Sequence, residues 1–258
     1  LLSRKYLSWK ETYFYCFFGY ATHGLLDACT SYGTQLFWPF TDERISWNNI
    51  SVVDPLLTVP VIIFIIISIL KKNKFVTFFG VFYIILYLGI GVVQENRAEK
   101  LGKLIVNMRG HESKRLTVKP SLGNLFLWKA IYEDNGFYYV DAVRLLLKPE
   151  YCQGTKIKKL DTSNNFMGLN QNSQQYKDIE RFNWFSQGYL GVGTQKNIIT
   201  DVRYSAVPNE VDGLWGIQIN LSKKNSEHVD WVVNRTSYKA KWNRFLDLLF
   251  GKGCKGII

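Results

Sequence analysis

The densest chemistry in the sequence is the run His23-Gly-Leu-Leu-Asp27-Ala-Cys-Thr30-Ser-Tyr-Gly33-Thr-Gln-Leu-Phe-Trp38-Pro39-Phe40. His23 and Asp27 are four residues apart, so on a helix they share a face, with Cβ atoms about 5–6 Å apart. An imidazole nitrogen and a carboxylate oxygen are a sensible pair of ligands for zinc or a similar divalent ion. Two other roles suit the same pair. Asp27 could accept the second ring N–H of His23, as an orienting partner or as part of a general base. It could equally make a hydrogen bond that is only structural.

Two further positions belong with this pair. Asp54 precedes Pro55. Proline is tolerated in a first helical turn because its missing N–H has no partner there. An Asp just before it caps the helix and complements the dipole. The functional alternative is a further carboxylate for the His23/Asp27 site. Arg97 follows a long apolar run and could neutralise a phosphate or carboxylate, or snorkel to lipid headgroups. With three successive membrane spans, the end of the first, the start of the second and the end of the third share one membrane face. On that topology His23, Asp27, Asp54 and Arg97 converge, as candidate metal ligands (His23, Asp27) and candidate catalytic groups (Asp54, Arg97).

Holding these side chains requires helices that cross a bilayer. Residues 52–70, VVDPLLTVPVIIFIIISIL, carry one charge near their start, and residues 75–93, FVTFFGVFYIILYLGIGVV, carry none. About 20 residues span a hydrocarbon core of roughly 30 Å. The intervening Lys71-Lys72-Asn73-Lys74 is short enough to make the pair a helical hairpin. A third, less hydrophobic span is expected at about 12–32, its His23 and Asp27 facing inward because ionisable groups at membrane depth are costly. Gly33 suits the end of that helix. Trp38-Pro39-Phe40 suits an interfacial anchor, and Asp42, Glu43 and Arg44 a solvated turn. Beyond the third span, Gln94 to about Arg109 reads as an amphipathic helix, with Ala98, Leu101, Leu104, Ile105 and Met108 at three- and four-residue steps.

The rest of the chain has the rhythm of strands. Leu125–Tyr132, Gly136–Leu146, Asn197–Tyr204 and Leu214–Leu221 are rich in aromatic and β-branched residues and separated by Asn, Asp and Gly clusters. Pro120 and Gly123 mark a turn. Asp161–Gln175 reads as a loop, and Tyr176–Phe185 and Tyr238–Phe250 as helices. The Asp201-Val-Arg203-Tyr204 stretch suits a structural ion pair. His111 and His228 have no partner at ligand spacing and read as surface histidines. The expected architecture is an α+β membrane protein: a transmembrane helix bundle over residues 1–110, then a strand-rich extramembrane domain with a few helices over 111–258.

Net charge is +11, from 32 Lys and Arg against 21 Asp and Glu, with most of the excess after residue 98. A basic domain beside a membrane is commonly explained by anionic lipid headgroups, at about 1 kcal/mol per basic residue near the surface. No helix-turn-helix, zinc finger or Arg-rich tract points to nucleic acid. Nor is there a nucleophile elbow, a Walker loop or a dinucleotide fingerprint. Cys16, Cys29, Cys152 and Cys254 form no C-x-x-C pair, which argues against a zinc knuckle or disulfide framework and for buried small hydrophobes. The Lys71/Lys72/Lys74 loop, with Arg4, Lys5 and Lys10, is expected on the cytoplasmic side, which sends the C-terminal domain outside. The domain's own positive charge argues the other way.

The run HGLLDACTSYGTQLFWPF resembles the YdjM-like bacterial inner-membrane family, described as LexA-binding and as metal-dependent hydrolases. Further matches follow in order: VVDPLLTVP at 52–60, QENRAEK at 94–100, Pro120 with Asn124 and Trp128-Lys129, RFNWFSQGY at 181–189 and DVRYS at 201–205. The resemblance implies His23 and Asp27 as metal ligands, with Thr30 and Gly33 completing their motif and Asp54 opening the next span. It also implies an upstream membrane segment with further ligands, expected to be missing from this chain. The expected function is a multi-pass inner-membrane, metal-dependent hydrolase. A divalent ion such as zinc would activate water, and the substrate would be a phosphoester or a lipid-like molecule. The alternative is a non-catalytic membrane protein whose basic domain binds lipid headgroups or a soluble partner. A transporter would want more spans and an inverted repeat.

Overall fold

The computed structural model describes residues 7–193, 197–234 and 238–256; Arg4 and Lys5 lie outside them. The chain divides into two compact units, one of residues up to Val92 together with Leu122–Asn124, the other of Val93–Ser121 and the residues from Leu125 onward.

The first unit is helical. Helix α1, Trp9–Ala28, starts at Ser8, whose side chain and backbone exchange hydrogen bonds with Glu11 in a capping box. Helix α2, Pro55–Lys71, starts at Asp54 and ends where Lys72 turns left-handed, φ 48°. Helix α3, Lys74–Met108, is 35 residues long, about 50 Å at 1.5 Å per residue. That exceeds a hydrocarbon core of roughly 30 Å, and the second half of the helix is polar. The amphipathic helix expected from Gln94 is thus the continuation of α3. No proline interrupts the segment, and residues such as Gln94, Glu95 and Arg97 favour helix.

Among the described residues, α3 is the one helix both long and apolar enough to cross a membrane; α2 is a shorter apolar helix. Its 17 residues stand at the lower end of the spanning range. α1 carries His23, Asp27 and several tyrosines and is less apolar, yet Phe14, Phe17, Phe18, Leu25 and Leu26 are all exposed on it. α2 and α3 form the hairpin expected from their short loop. Ser68 Oγ and Thr77 Oγ1 lie 2.5 Å apart, and the Tyr83 hydroxyl donates to the Leu56 carbonyl at 2.5 Å.

The second unit is an antiparallel sheet joined to the polar half of α3. In chain order it contains β1 Arg115–Pro120, β2 Leu127–Asp134, β3 Phe137–Leu145, β4 Pro149–Lys159, α4 Thr162–Asn165, α5 Gln174–Phe185, β5 Leu190–Val192, β6 Ile198–Asp201, β7 Trp215–Gln218, β8 Asp230–Val233, α6 Tyr238–Leu249 and β9 Lys255–Gly256. Strands β1 to β8 follow one another across the sheet, each antiparallel to the last, and β9 pairs with β4. One face of β2 and β3 meets α3. Arg109 grips Asp141 with two hydrogen bonds of 2.7 and 2.8 Å, and Gly102 lets Leu116 approach closely. The other face carries two apolar clusters, Leu127, Ala142, Cys152, Val207, Phe245 and Leu248, then Ile131, Tyr138, Val140, Ile157, Tyr189 and Val202.

Four strands and two helices overlap the segments the sequence marks, with shifted ends: β2 runs on to Asp134, and α5 begins at Gln174 inside the stretch read as a loop, which also holds the short α4. β1, β4, β5, β8 and β9 are additional. β4 reads PEYCQGTKIKK and most of its side chains are half-buried or exposed, so its pattern lacks the apolar alternation of its neighbours. The cysteine expectation needs correction. Cys152 on β4 and Cys254 beside β9 form a disulfide across 102 residues, while Cys29 is buried and free and Cys16 is exposed and free. The two partners are distant in sequence but are brought together by the β4–β9 pairing.

Candidate functional site

In α1, His23 and Asp27 sit one turn apart and are both exposed. The Nδ1 atom of His23 is engaged with the Tyr20 carbonyl of the previous turn, and Thr30 Oγ1 donates to the Asp27 backbone carbonyl at 2.8 Å. No bond joins His23 to Asp27. Among the described residues no three His, Cys, Asp or Glu side chains gather as a metal site. Two ligands fall short of the three protein ligands of a catalytic zinc centre, so His23 and Asp27 alone do not make a complete metal site.

The segment after α1 folds back on the helix end. The carbonyls of Ala28 and Cys29 accept from the N–H groups of Trp47, Asn49 and Ile50, which satisfies acceptors a helix terminus leaves open. Arg44, read from sequence as part of a solvated turn, donates to the Tyr32 and Gly33 carbonyls at 2.9 Å each. Gly33 has φ 77°, which suits glycine, although the helix itself ends at Cys29.

Asp54 is buried, caps α2 by accepting from Leu57 N–H at 3.3 Å, and accepts from the Tyr87 hydroxyl on α3. The capping role was legible in Asp54-Pro55. The Tyr87 partner, 33 residues away, was not. Arg97 donates to Gln94 Oε1 at 2.7 Å and to the Leu146 carbonyl at 2.5 Å, while Gln94 Nε2 bridges the Leu125 and Leu145 carbonyls. Both residues therefore tie α3 to the ends of β2 and β3.

Sequence reading missed the most concentrated polar cluster, which lies inside the second unit. Asp201 and Arg203 form the expected ion pair at 2.7 Å, and it is buried. Arg203 also donates to Gln187 Oε1 at 2.9 Å and to the Phe185 carbonyl at 3.0 Å. The motifs RFNWFSQGY and DVRYS are joined through this one guanidinium. Lys119 and Lys129 face each other across β1 and β2, and both are buried. Lys129 donates to Ser205 Oγ at 2.7 Å and to the Glu210 carbonyl at 2.9 Å. Burial pushes its ammonium down to about 7, against the opposing pull of Asp201, Glu210 and Asp212. Burial, aided by the neighbouring Arg203, also holds Lys119 well below the usual lysine range; its Nζ lies over the Tyr204 ring. Period-two patterning hides such a cluster because lysines at core positions read as strand ends or exposed faces.

The two remaining histidines have partners far away in sequence. His111 Nδ1 meets the Tyr132 hydroxyl at 2.9 Å, and His228 Nδ1 meets Asp178 at 2.9 Å. Both partners come from other elements, so ligand spacing along the chain could not reveal them.

Residues 1–98 match the model of the YdjM inner membrane protein family, which supports an inner-membrane location. The motif matches at 120–205 lie beyond the matched residues. No curated protein and no solved structure matches the chain.

Proposed function

From a YdjM-type inner-membrane region at residues 1–98, we propose that this protein is a multi-pass membrane anchor presenting a basic, disulfide-closed strand domain on the oxidising face of the inner membrane. There it works on or against anionic lipid headgroups. The observation that carries this reading is the Cys152–Cys254 disulfide in the domain that follows α3. Disulfides persist in oxidising compartments such as the bacterial periplasm and are rare in the cytosol. Charge supports the same side. Lys71, Lys72 and Lys74 form the strongest short basic loop, and such loops stay cytoplasmic. α3 then runs outward and carries the domain with it.

The membrane-embedded region would be a bundle in which α1 and α2 also cross. The exposed aromatic and aliphatic side chains along both helices are what lipid-facing surfaces require. The test is a thiol-trapping assay on whole cells: alkylation before and after reduction, with Cys152 and Cys254 followed by mass spectrometry. Both cysteines protected until reductant is added supports the reading. Both cysteines reactive in freshly lysed cells would overturn it.

A second reading, metal-dependent hydrolysis, rests on His23 and Asp27 standing one turn apart with an exposed imidazole and an exposed carboxylate. They would supply two ligands to a divalent ion such as zinc, and further ligands would have to come from elsewhere. Asp54 and Arg97 would be its catalytic groups, although both have structural partners. Metal content of the purified protein beside His23→Ala and Asp27→Ala tests it. Near-stoichiometric metal lost in both variants supports the reading, and metal-free wild type supplied with zinc would exclude it.

A further inference from the structure

We propose that Ser205 and Lys129 form a nucleophile–base dyad for acyl transfer, an activity separate from anchoring and from any metal at His23. Lys129 Nζ lies 2.7 Å from Ser205 Oγ, which is hydrogen-bond reach for proton transfer. The lysine is only 3% exposed, while Ser205 is half-buried. A nucleophilic serine needs an adjacent base in its neutral form, and serine–lysine pairs are a known variant of the triad arrangement.

The surroundings favour a neutral amine. Lys119 faces Lys129 from β1, and Arg203 lies close to Lys119 from the segment after β6. Asp201, Glu210 and Asp212 pull the other way. Arg244 on α6 pairs with Glu210 and weakens that pull. The ammonium is thereby poised to lose its proton near neutrality. The Ser205 hydroxyl, which rests on the Val207 carbonyl at 2.6 Å, would turn to the lysine lone pair.

In the step proposed, Ser205 Oγ bonds to the carbonyl carbon of an ester while its proton passes to Lys129 Nζ. The carbon–oxygen bond to the alcohol then breaks, and that alkoxide takes the proton from Lys129. Water, deprotonated in turn by Lys129, attacks the acyl-serine and releases the carboxylic acid, and Ser205 recovers its proton. Gly213, the bridge partner of Ser205, and Asp212, which pulls on Lys129, line a neighbouring trough of about 680 Å³ whose walls do not include Ser205 or Lys129 themselves. Val192, Ile198 and Trp215 give this trough an apolar wall, and Lys156, Lys158 and Lys241 give it positive charge. An ester with an apolar acyl body and an anionic group matches both.

The test uses the full chain in detergent micelles with a fluorophosphonate probe, the labelled residue being mapped by mass spectrometry. Labelling of Ser205 is expected, with a rate that rises through a midpoint near pH 7. S205A should abolish it, and K129M should slow it about 100-fold, the usual scale of a general base. S205C, which keeps a nucleophile at the site, should be alkylated by iodoacetamide at least about 10-fold faster in the presence of Lys129 than in the K129M background. An unlabelled wild type with its disulfide intact, a label mapping to another residue, or an S205C thiol indifferent to Lys129 would each overturn the dyad.

Discussion

The Tyr87 hydroxyl on α3 donates to both carboxylate oxygens of Asp54, at 2.8 and 2.9 Å. Asp54 also caps α2, so one carboxylate fixes the start of one helix and its alignment with the next. Tyr87→Phe should cost about 1 kcal/mol, the net value of a typical hydrogen bond. Asp54→Ala should cost about 2–4 kcal/mol, because it removes a cap and strands a buried hydroxyl. A double-mutant cycle on unfolding in mixed micelles checks both. Coupling of about 1 kcal/mol or more is the expected outcome, and independent effects would detach Asp54 from this role.

Gly91 makes a second tight junction in the same unit. A Cβ there would stand 2.4 Å from the Asn49 carbonyl oxygen, which is backbone and cannot rotate away. Gly91→Ala should destabilise by about 1–3 kcal/mol, as overpacking does. Gly89, where a Cβ meets nothing within 4 Å, is the control, and Gly89→Ala should be neutral or slightly stabilising. Thermal unfolding of the two variants side by side decides the matter.

The disulfide closes a loop of 102 residues. Removing such a cross-link from the unfolded chain's constraints typically costs about 2–5 kcal/mol. C152S with C254S, or reductant added to the wild type, should lower the midpoint of denaturation of the strand domain. Equal midpoints with and without reductant would show that the bond adds nothing to stability.

Lys129 gives the domain a pH dependence of definite sign. Its folded-state value of about 7 lies below the value near 10.4 of a free lysine. Between these limits the unfolded chain binds more protons, so stability should rise as pH increases from about 7 to about 10. Lys119, shifted in the same direction, adds to the slope. Lys129→Met should flatten the rise, measured as denaturant midpoints at pH 7 and 9 for both proteins. An unchanged slope would mean that Lys129 is not the titrating group.

How far these features were legible depends on how local their causes are. The α2–α3 hairpin, the cap at Asp54, strands β2 and β3 and the Asp201–Arg203 pair rest on patterns within a few residues. They stand where the sequence puts them. The Cys152–Cys254 bond, the Tyr87–Asp54 bond and the Lys129–Ser205 contact join residues 33 or more positions apart. Nothing in spacing announces them. β4 escaped notice because lysines and a glycine break its alternation, though that glycine, Gly154, is where Val140 and Asn209 carbonyls approach too closely for any side chain. His23 and Asp27 lie one turn apart as their spacing requires, but a shared face alone does not supply the remaining ligands.

The most direct test of the central claim is the side of the membrane on which the strand domain lies. Alkaline phosphatase and green fluorescent protein, each fused after the last residue of the chain, report opposite sides. High phosphatase activity with a dark fluorescent fusion is the expected result, since it places the Cys152–Cys254 domain in the oxidising compartment. An inactive phosphatase with a bright fluorescent fusion would put the domain in the cytosol and contradict the proposal.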